Sequence, residues 1–319
     1  MASRPCLYAF LLLLAFQSTM IKVNTVSLPP PECRPEVAST KEKFEFLLNL
    51  LIFKIELFLR SSIGRGINDI SPGLVQGPIP IGAAVANLDK ATRKIIEEFG
   101  LASIGHLRVI INTSLLNAPI PMPLLDISPQ TYNTFVTMIL NGTKKSNPSY
   151  NPYANTNSFL FAAVFASSFL KQYYAGIMPS IIGKDERELL SGIALYEAGV
   201  FGALQAELNA RVNLTVPPFN FTVGNLTNLS AQLANRLAGC GVKDEGLIVP
   251  LQLGAENRTS SNIVPGNANS LAYARSAREI LRIVFTTGNA TRSGGIFPRG
   301  LNGALKHLSS QHPLQQISF

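Results

Sequence analysis

Apolar residues recur along this chain with a helical rhythm, and runs that alternate in the manner of half-buried strands are few. The pattern predicts four long helices, over about 41–63 (KEKFEFLLNLLIFKIELFLRSSI), 90–114, 156–174 and 186–212 (ERELLSGIALYEAGVFGALQAELNARV). Asp89 stands where the second needs an N-cap, and Asp185 opens the fourth. Shorter helices are expected near 129–140, 228–238 and 276–287, and a Gly/Pro-rich loop over 64–86. Four long apolar helices with few strand signals make an all-α bundle, and the long connections between them exclude a simple up-down array. From about 240 onward the chain reads as a loop-rich appendage with little core of its own. No period of 20 to 50 residues repeats.

The first apolar run lies apart from these helices. Arg4 followed by Leu7 to Phe16 (LYAFLLLLAF) has the charge and length of a signal peptide. The run is shorter than the ~20 residues that span a bilayer, and nothing after Val26 is read as long and apolar enough to do so. The expected organisation is a signal peptide over 1–25, a Pro-rich lead-in over 26–40, a helical bundle over 41–240 and the loop-rich segment 241–319 with its helix near 276–287. The C-terminal residues match neither an ER-retention tetrapeptide nor a lipid-anchor signal.

Composition adds to the picture of secretory cargo. Eight N-x-[ST] sequons occur, at Asn112, Asn141, Asn213, Asn220, Asn225, Asn228, Asn257 and Asn289. All but Asn112, which the helical pattern places inside an apolar helix, are expected to carry glycans, since glycans require surface positions. Once a signal is removed, Cys33 and Cys240 are left. In an oxidising compartment they have one possible pairing, two free buried thiols being the alternative. The net charge of +8 is scattered, without basic runs or interleaved aromatics, which argues against nucleic acid as a partner.

Most catalytic signatures are absent from the chain. It has no phosphate-binding or dinucleotide glycine motif, no C-x-x-C, no H-E-x-x-H and no G-x-S-x-G. Of its three histidines, His307 and His312 lie in the polar tail, so a hydrolytic triad would rest on His106 alone.

Six strings are more specific: PIGAAVANLDKATRKIIEEFG (80–100), GHLR (105–108), PLLDIS (123–128), NPYANTNSFLFA (151–162), GCGVKDEGLIVPLQLGAE (239–256) and SLAYARSAREILRIVFTTGN (270–289). From about Cys33 to Gly303 the chain resembles the plant desiccation-related proteins. The resemblance implies a ferritin-like four-helix bundle with a long crossover, extra short helices and a loop-rich C-terminal segment. It also implies secretion to the cell wall (apoplast) or vacuole, and a link to dehydration and to seed or reproductive tissue.

Ferritin-like bundles can hold two metal ions between inward carboxylates and Glu-x-x-His pairs. Helical phase points His106 inward along Ile95, Phe99, Ala102, His106, Val109 and Thr113, and Glu197 inward along Leu190, Ala194, Glu197, Phe201 and Leu204. Where the family pattern has Glu-x-x-His, this chain has Ser103-Ile104-Gly105-His106. Where the family carries two glutamates in its first helix, Leu51 and Lys54 stand. Glu56 survives, but an i,i+4 pair with Arg60 accounts for it. One carboxylate and one histidine are too few for two ions, and an inward lysine repels cations. The expectation is therefore a degenerate site without cofactor, in which Lys54 meets Glu197 directly or through one water and His106 lies nearby.

The function this supports is that of a non-catalytic secreted glycoprotein acting through its surface or its glycans, with a cell-wall component or protein as partner. The alternative is a redox or metal-handling enzyme keeping one iron or manganese ion at His106 and Glu197. A lipid-contacting role, suggested by basic charge and apolar content, is more remote.

Overall fold

The computed structural model of the chain describes residues 30–116, 120–140 and 149–305. The N-terminal apolar run, Asn141, His307 and His312 lie outside the described residues. The chain divides into Met1–Glu32 and Cys33–Phe319, and every α-helix among the described residues falls in the second unit. Among the described residues these are α1 (Thr40–Ile63), α2 (Ile67–Ile70), α3 (Lys90–Ile111), α4 (Pro129–Ile139), α5 (Thr156–Ile177), α6 (Lys184–Asn209), α7 (Val223–Ala238) and α8 (Ala277–Val284). Backbone pairing outside them is limited to isolated bridges. The fold is all-α. Helices α1, α3, α5 and α6 form the bundle, with α1 packed on α3 and α5, and α5 on α6. The crossover between α3 and α5 carries α4.

Local signals set most helix ends. Ser39 closes a capping box with Glu42 at the start of α1, and Asp89 accepts from Thr92 N at the start of α3. Helix α1 stops at Gly64, whose φ of 72° is the left-handed C-cap conformation that glycine adopts without a Cβ clash. The start of α6 differs from the expected one. Gly183 occupies the N-cap without a side-chain bond, and Asp185 falls in the first turn, where with Glu186 it faces the positive end of the helix dipole.

Helix α1 has almost no solvent face. Every residue from Lys43 to Leu59 is buried, so its polar positions must be answered by protein. The C-terminal segment does much of this. Ala304 N donates to Glu45 Oε2 at 2.7 Å, Asn302 and Asn49 exchange two bonds at 2.9 and 3.0 Å, and the Phe297 ring lies 6.1 Å from that of Phe53. Glu56 takes Arg60 Nε at 2.5 Å, as its spacing implies, and also Ile67 N at 2.8 Å, which anchors α2.

Residues 241–305 are therefore more than an appendage. Helix α8 buries Ile280, Leu281, Ile283 and Val284 completely, and Phe285 follows them into the core. Its sequence reads as a short isolated helix because its apolar face is completed only by α5 and α7. Arg275, 1% exposed, joins this segment to α7 and to the turn after it, donating to Asp244 Oδ2 at 2.7 Å, Asn235 Oδ1 at 3.0 Å and Glu279 Oε1 at 3.3 Å. Lys243 Nζ lies 2.8 Å from Glu279 Oε1. The crossover loops are laced by backbone bonds, Ile81 N to Leu125 O and Ile127 N to Ile81 O, while Asp126 N donates to Ile296 O. The specific strings noted in the sequence thus build the joints between loops and bundle.

Helix α6 is long and apolar enough to cross a membrane by length and composition alone, which the sequence reading did not find past Val26. Here its buried face, Leu190, Ile193, Val200, Leu204 and Leu208, packs into the bundle with Glu197 at its centre.

Cys33 and Cys240 are bonded, their Cα atoms 5.5 Å apart, well inside the reach of a disulfide. The bond joins cysteines 207 positions apart in the sequence. Replacing both cysteines with serine is expected to lower stability by about 3–5 kcal/mol through restored chain entropy in the unfolded state. Denaturant titration of the oxidised wild type against the double variant checks this, and equal midpoints would refute it.

Candidate functional site

Four side chains from three bundle helices meet in the core: Lys54 from α1, Ser103 and His106 from α3, and Glu197 from α6. Their arrangement depends on the phase of α3, which differs from the expected one. The buried face is Thr92, Ile96, Gly100, Ser103, Ile104, Leu107 and Ile110, about one residue away from the stripe through Val109, which is 44% exposed. Gly100 sets this phase. A Cβ there would lie 2.7 Å from Leu59 Cδ2, so the missing side chain lets α3 approach α1 closely. Ser103 consequently faces the centre, and His106 sits at the edge with its side chain 16% exposed.

Lys54 and Glu197 have no exposed side-chain surface, and Lys54 Nζ lies 2.5 Å from Glu197 Oε2. The expected contact is direct. Lys54 Nζ also donates to Ser103 Oγ at 3.0 Å. The Ser103 hydroxyl gives its proton to Phe99 O at 2.7 Å, so towards Lys54 it can only accept. Glu197 Oε1 lies 3.1 Å from His106 Nδ1, and since a carboxylate accepts, Nδ1 carries the proton. The His106 ring stands edge-on to Tyr196 at 4.9 Å. The Phe58 ring, 5.4 Å from Nζ, covers the remaining side of the ammonium.

The electrostatics follow from burial and pairing. Burial pushes Glu197 up, but the Lys54 charge and the bonds from His106 and Lys54 outweigh it and hold the carboxyl below its ordinary value. Burial pulls Lys54 down, against the attraction of Glu197. Burial, and then the negative charge of Glu197, push the Tyr174 phenol well above its usual range. The Tyr174 hydroxyl is buried without a hydrogen-bond partner.

This donor set does not fit a metal centre. Leu51, fully buried, offers no ligand, and the oxygen of Glu197 that would face an ion is held by an ammonium. Among the described residues no three His, Cys, Asp or Glu side chains converge as a metal site would require. The lysine supplies the positive charge that a buried carboxylate needs.

The ferritin-like domain family matches residues 40–210, more than half of the chain and all four bundle helices. The chain belongs to the ferritin-like domain family. It is 35% identical over 309 residues to the ferritin-like catalase Nec2 of Nesocodon mauritianus, covering 93% of this chain and 98% of that protein. It is 36% identical over 238 residues to the desiccation-related protein PCC13-62 of Craterostigma plantagineum, covering 74% of each. No solved structure matches. These relatives place the chain among the plant desiccation-related, ferritin-like proteins.

The sequons fall into two groups. Asn213, Asn220, Asn225, Asn257 and Asn289 are exposed, and so is Asn112, which caps the end of α3 instead of lying within a helix. Asn228 is half-buried in α7, with its amide oxygen buried against Gly246.

Removing one partner of the buried pair should be worse than removing both. Lys54→Met alone is expected to cost about 3–5 kcal/mol by stranding the Glu197 charge, and adding Glu197→Leu should recover most of it. Because the Glu197 pKa lies below its ordinary 4.5, its contribution is present above that pH and is lost as the pH falls through the folded-state value. Acid unfolding below pH 4.5 should therefore be steeper in the wild type than in Glu197→Gln. Equal losses in the single and double variants, or parallel acid profiles, would refute this account of the core.

Proposed function

We propose that this member of the desiccation-related family is a secreted, non-catalytic glycoprotein of the apoplast or cell wall, linked to dehydration and to seed or reproductive tissue. It works through its surface or glycans on a cell-wall or protein partner. The observation that carries the non-catalytic part is Lys54 at the centre of the bundle. Its ammonium is paired with Glu197 where a resident ion would need free carboxylates. Secretion is supported by the signal-like N-terminus, the Cys33–Cys240 bond and the exposed sequons.

A second reading is favoured by one relative's name, that of a catalase. Peroxide disproportionation needs a centre that exchanges two electrons, which lysine, serine, histidine and glutamate side chains do not supply by themselves. An ion held at His106 and Glu197 would first have to displace Lys54 from Glu197.

Metal analysis of purified protein and a peroxide-decomposition assay separate the two. The wild type is expected to carry iron and manganese well below stoichiometry and to evolve no oxygen above a heat-inactivated control. The triple variant Leu51→Glu, Lys54→Glu, Ser103→Glu, which restores carboxylates around Glu197 and His106, is expected to take up metal. Stoichiometric metal in the wild type, or peroxide turnover abolished by Glu197→Gln, would overturn the non-catalytic reading. Endoglycosidase treatment of protein from tissue tests the secretory part. A drop in mass by several glycans is expected, and an unchanged band would refute it.

A further inference from the structure

Away from the Lys54–Glu197 site, α5, α6, α7 and the turn at 243–245 enclose a second, half-open pocket of about 60 Å³. Its wall is aromatic, built from Phe161, Phe165, Phe169 and Phe201. The pocket also holds Lys171, 7% exposed. Its ammonium lies 4.2 Å from the centre of the Phe201 ring, and among the described residues no carboxylate or hydrogen-bond acceptor pairs with it.

The other charged groups lining the pocket are already paired. Lys243 meets Glu279, Asp244 meets Arg275, and Glu245 accepts from Asn262 at 3.1 Å and Tyr273 at 3.2 Å. A cation–π contact offsets only part of the cost of burying a charge, so the Lys171 ammonium is left under-compensated. Burial pushes it down to about 8, against the opposing attraction of Asp244.

Two further groups wait for a partner. Gln172, 2% exposed, spends its amide nitrogen on Lys243 O and Asp244 Oδ1, at 3.0 and 2.7 Å. These bonds fix the orientation of the amide and leave Oε1 buried without a donor. Gln205, 4% exposed, likewise has a buried, unpaired Oε1. A buried acceptor left without a donor is costly, and such groups are normally satisfied.

We propose that this pocket binds a small hydroxylated aromatic carboxylate. The carboxylate pairs with the Lys171 ammonium, the ring lies against the phenylalanines, and the hydroxyl donates to an unpaired glutamine oxygen. Each part of the ligand answers a feature that the protein leaves open: a cation without an anion, an aromatic lining, and acceptors without donors. The small inner volume limits the ligand to about one ring, with the remainder reaching the open side. The proposal is independent of whether the bundle core holds metal.

Calorimetric titration of the full disulfide-bonded protein with 4-hydroxybenzoate, and with the neutral 4-hydroxybenzamide, tests it. The acid is expected to bind one per chain and at least tenfold more tightly than the amide. Lys171→Met keeps the stem volume and removes the charge, so it should fold normally and lose the preference for the acid. Ser230→Phe, which fills the pocket from α7, should abolish binding of both compounds. Affinity for the acid should also fall as the pH rises past about 8, where Lys171, faced by Asp244, Glu245 and Lys243 from the turn after α7, loses its proton. Equal binding of acid and amide, undiminished binding of the acid by Lys171→Met, or no binding of either compound at millimolar concentration would overturn the proposal.

Discussion

A helix buried on every side must have each polar group on it met by the chain packed around it, and α1 imposes that demand on the whole molecule. Between Lys43 and Leu59 it carries Glu45, Asn49, Lys54 and Glu56, all buried. They are answered from three parts of the chain: Glu45 and Asn49 by Ala304 and Asn302 of the C-terminal segment, Lys54 by Glu197 of α6, and Glu56 by Ile67 at the start of α2. The four-helix bundle by itself would leave one face of α1 in water. The loops and the C-terminal segment supply the missing cover, which is why so much irregular chain is held firmly against the bundle.

The Lys54–Glu197 pair is the innermost of these answers. A carboxylate and an ammonium taken out of water lose several kcal/mol of hydration each, which their mutual attraction recovers only with good geometry and further hydrogen bonds. Ser103 and His106 provide those bonds, one to each partner. In a ferritin-like bundle this place can hold ions among carboxylates. Here a single protein cation balances a single protein anion.

The same balance is incomplete elsewhere. Lys171 is buried beside aromatic rings without an anion, although the ionic network of Arg275, Asp244, Glu279 and Lys243 lies next to it and is internally matched. The bundle centre holds a matched pair of charges, whereas the pocket between α5, α6 and α7 holds a charge that no anion among the described residues meets.

The long helices, their approximate ends and the all-α class were legible in the sequence, because apolar periodicity and a capping residue such as Asp89 act locally, whereas the short α2 inside the expected loop 64–86 was not. The pairing of Lys54 with Glu197 was legible too, since helical phase places both inward and a buried ammonium needs an anion. The phase of α3 was not. Two candidate stripes differ by one residue, and the choice was made by Gly100, whose missing Cβ matters only because Leu59 is there to fill the space. Nor could the sequence reveal that Asn228 is turned against Gly246, or that α8 is buried by α5 and α7. It also could not show Lys171 without a partner, because what a side chain meets across 70 residues of chain is decided by packing. Local patterns specify which faces want to be buried. The tertiary structure decides what buries them, and which charge is left over.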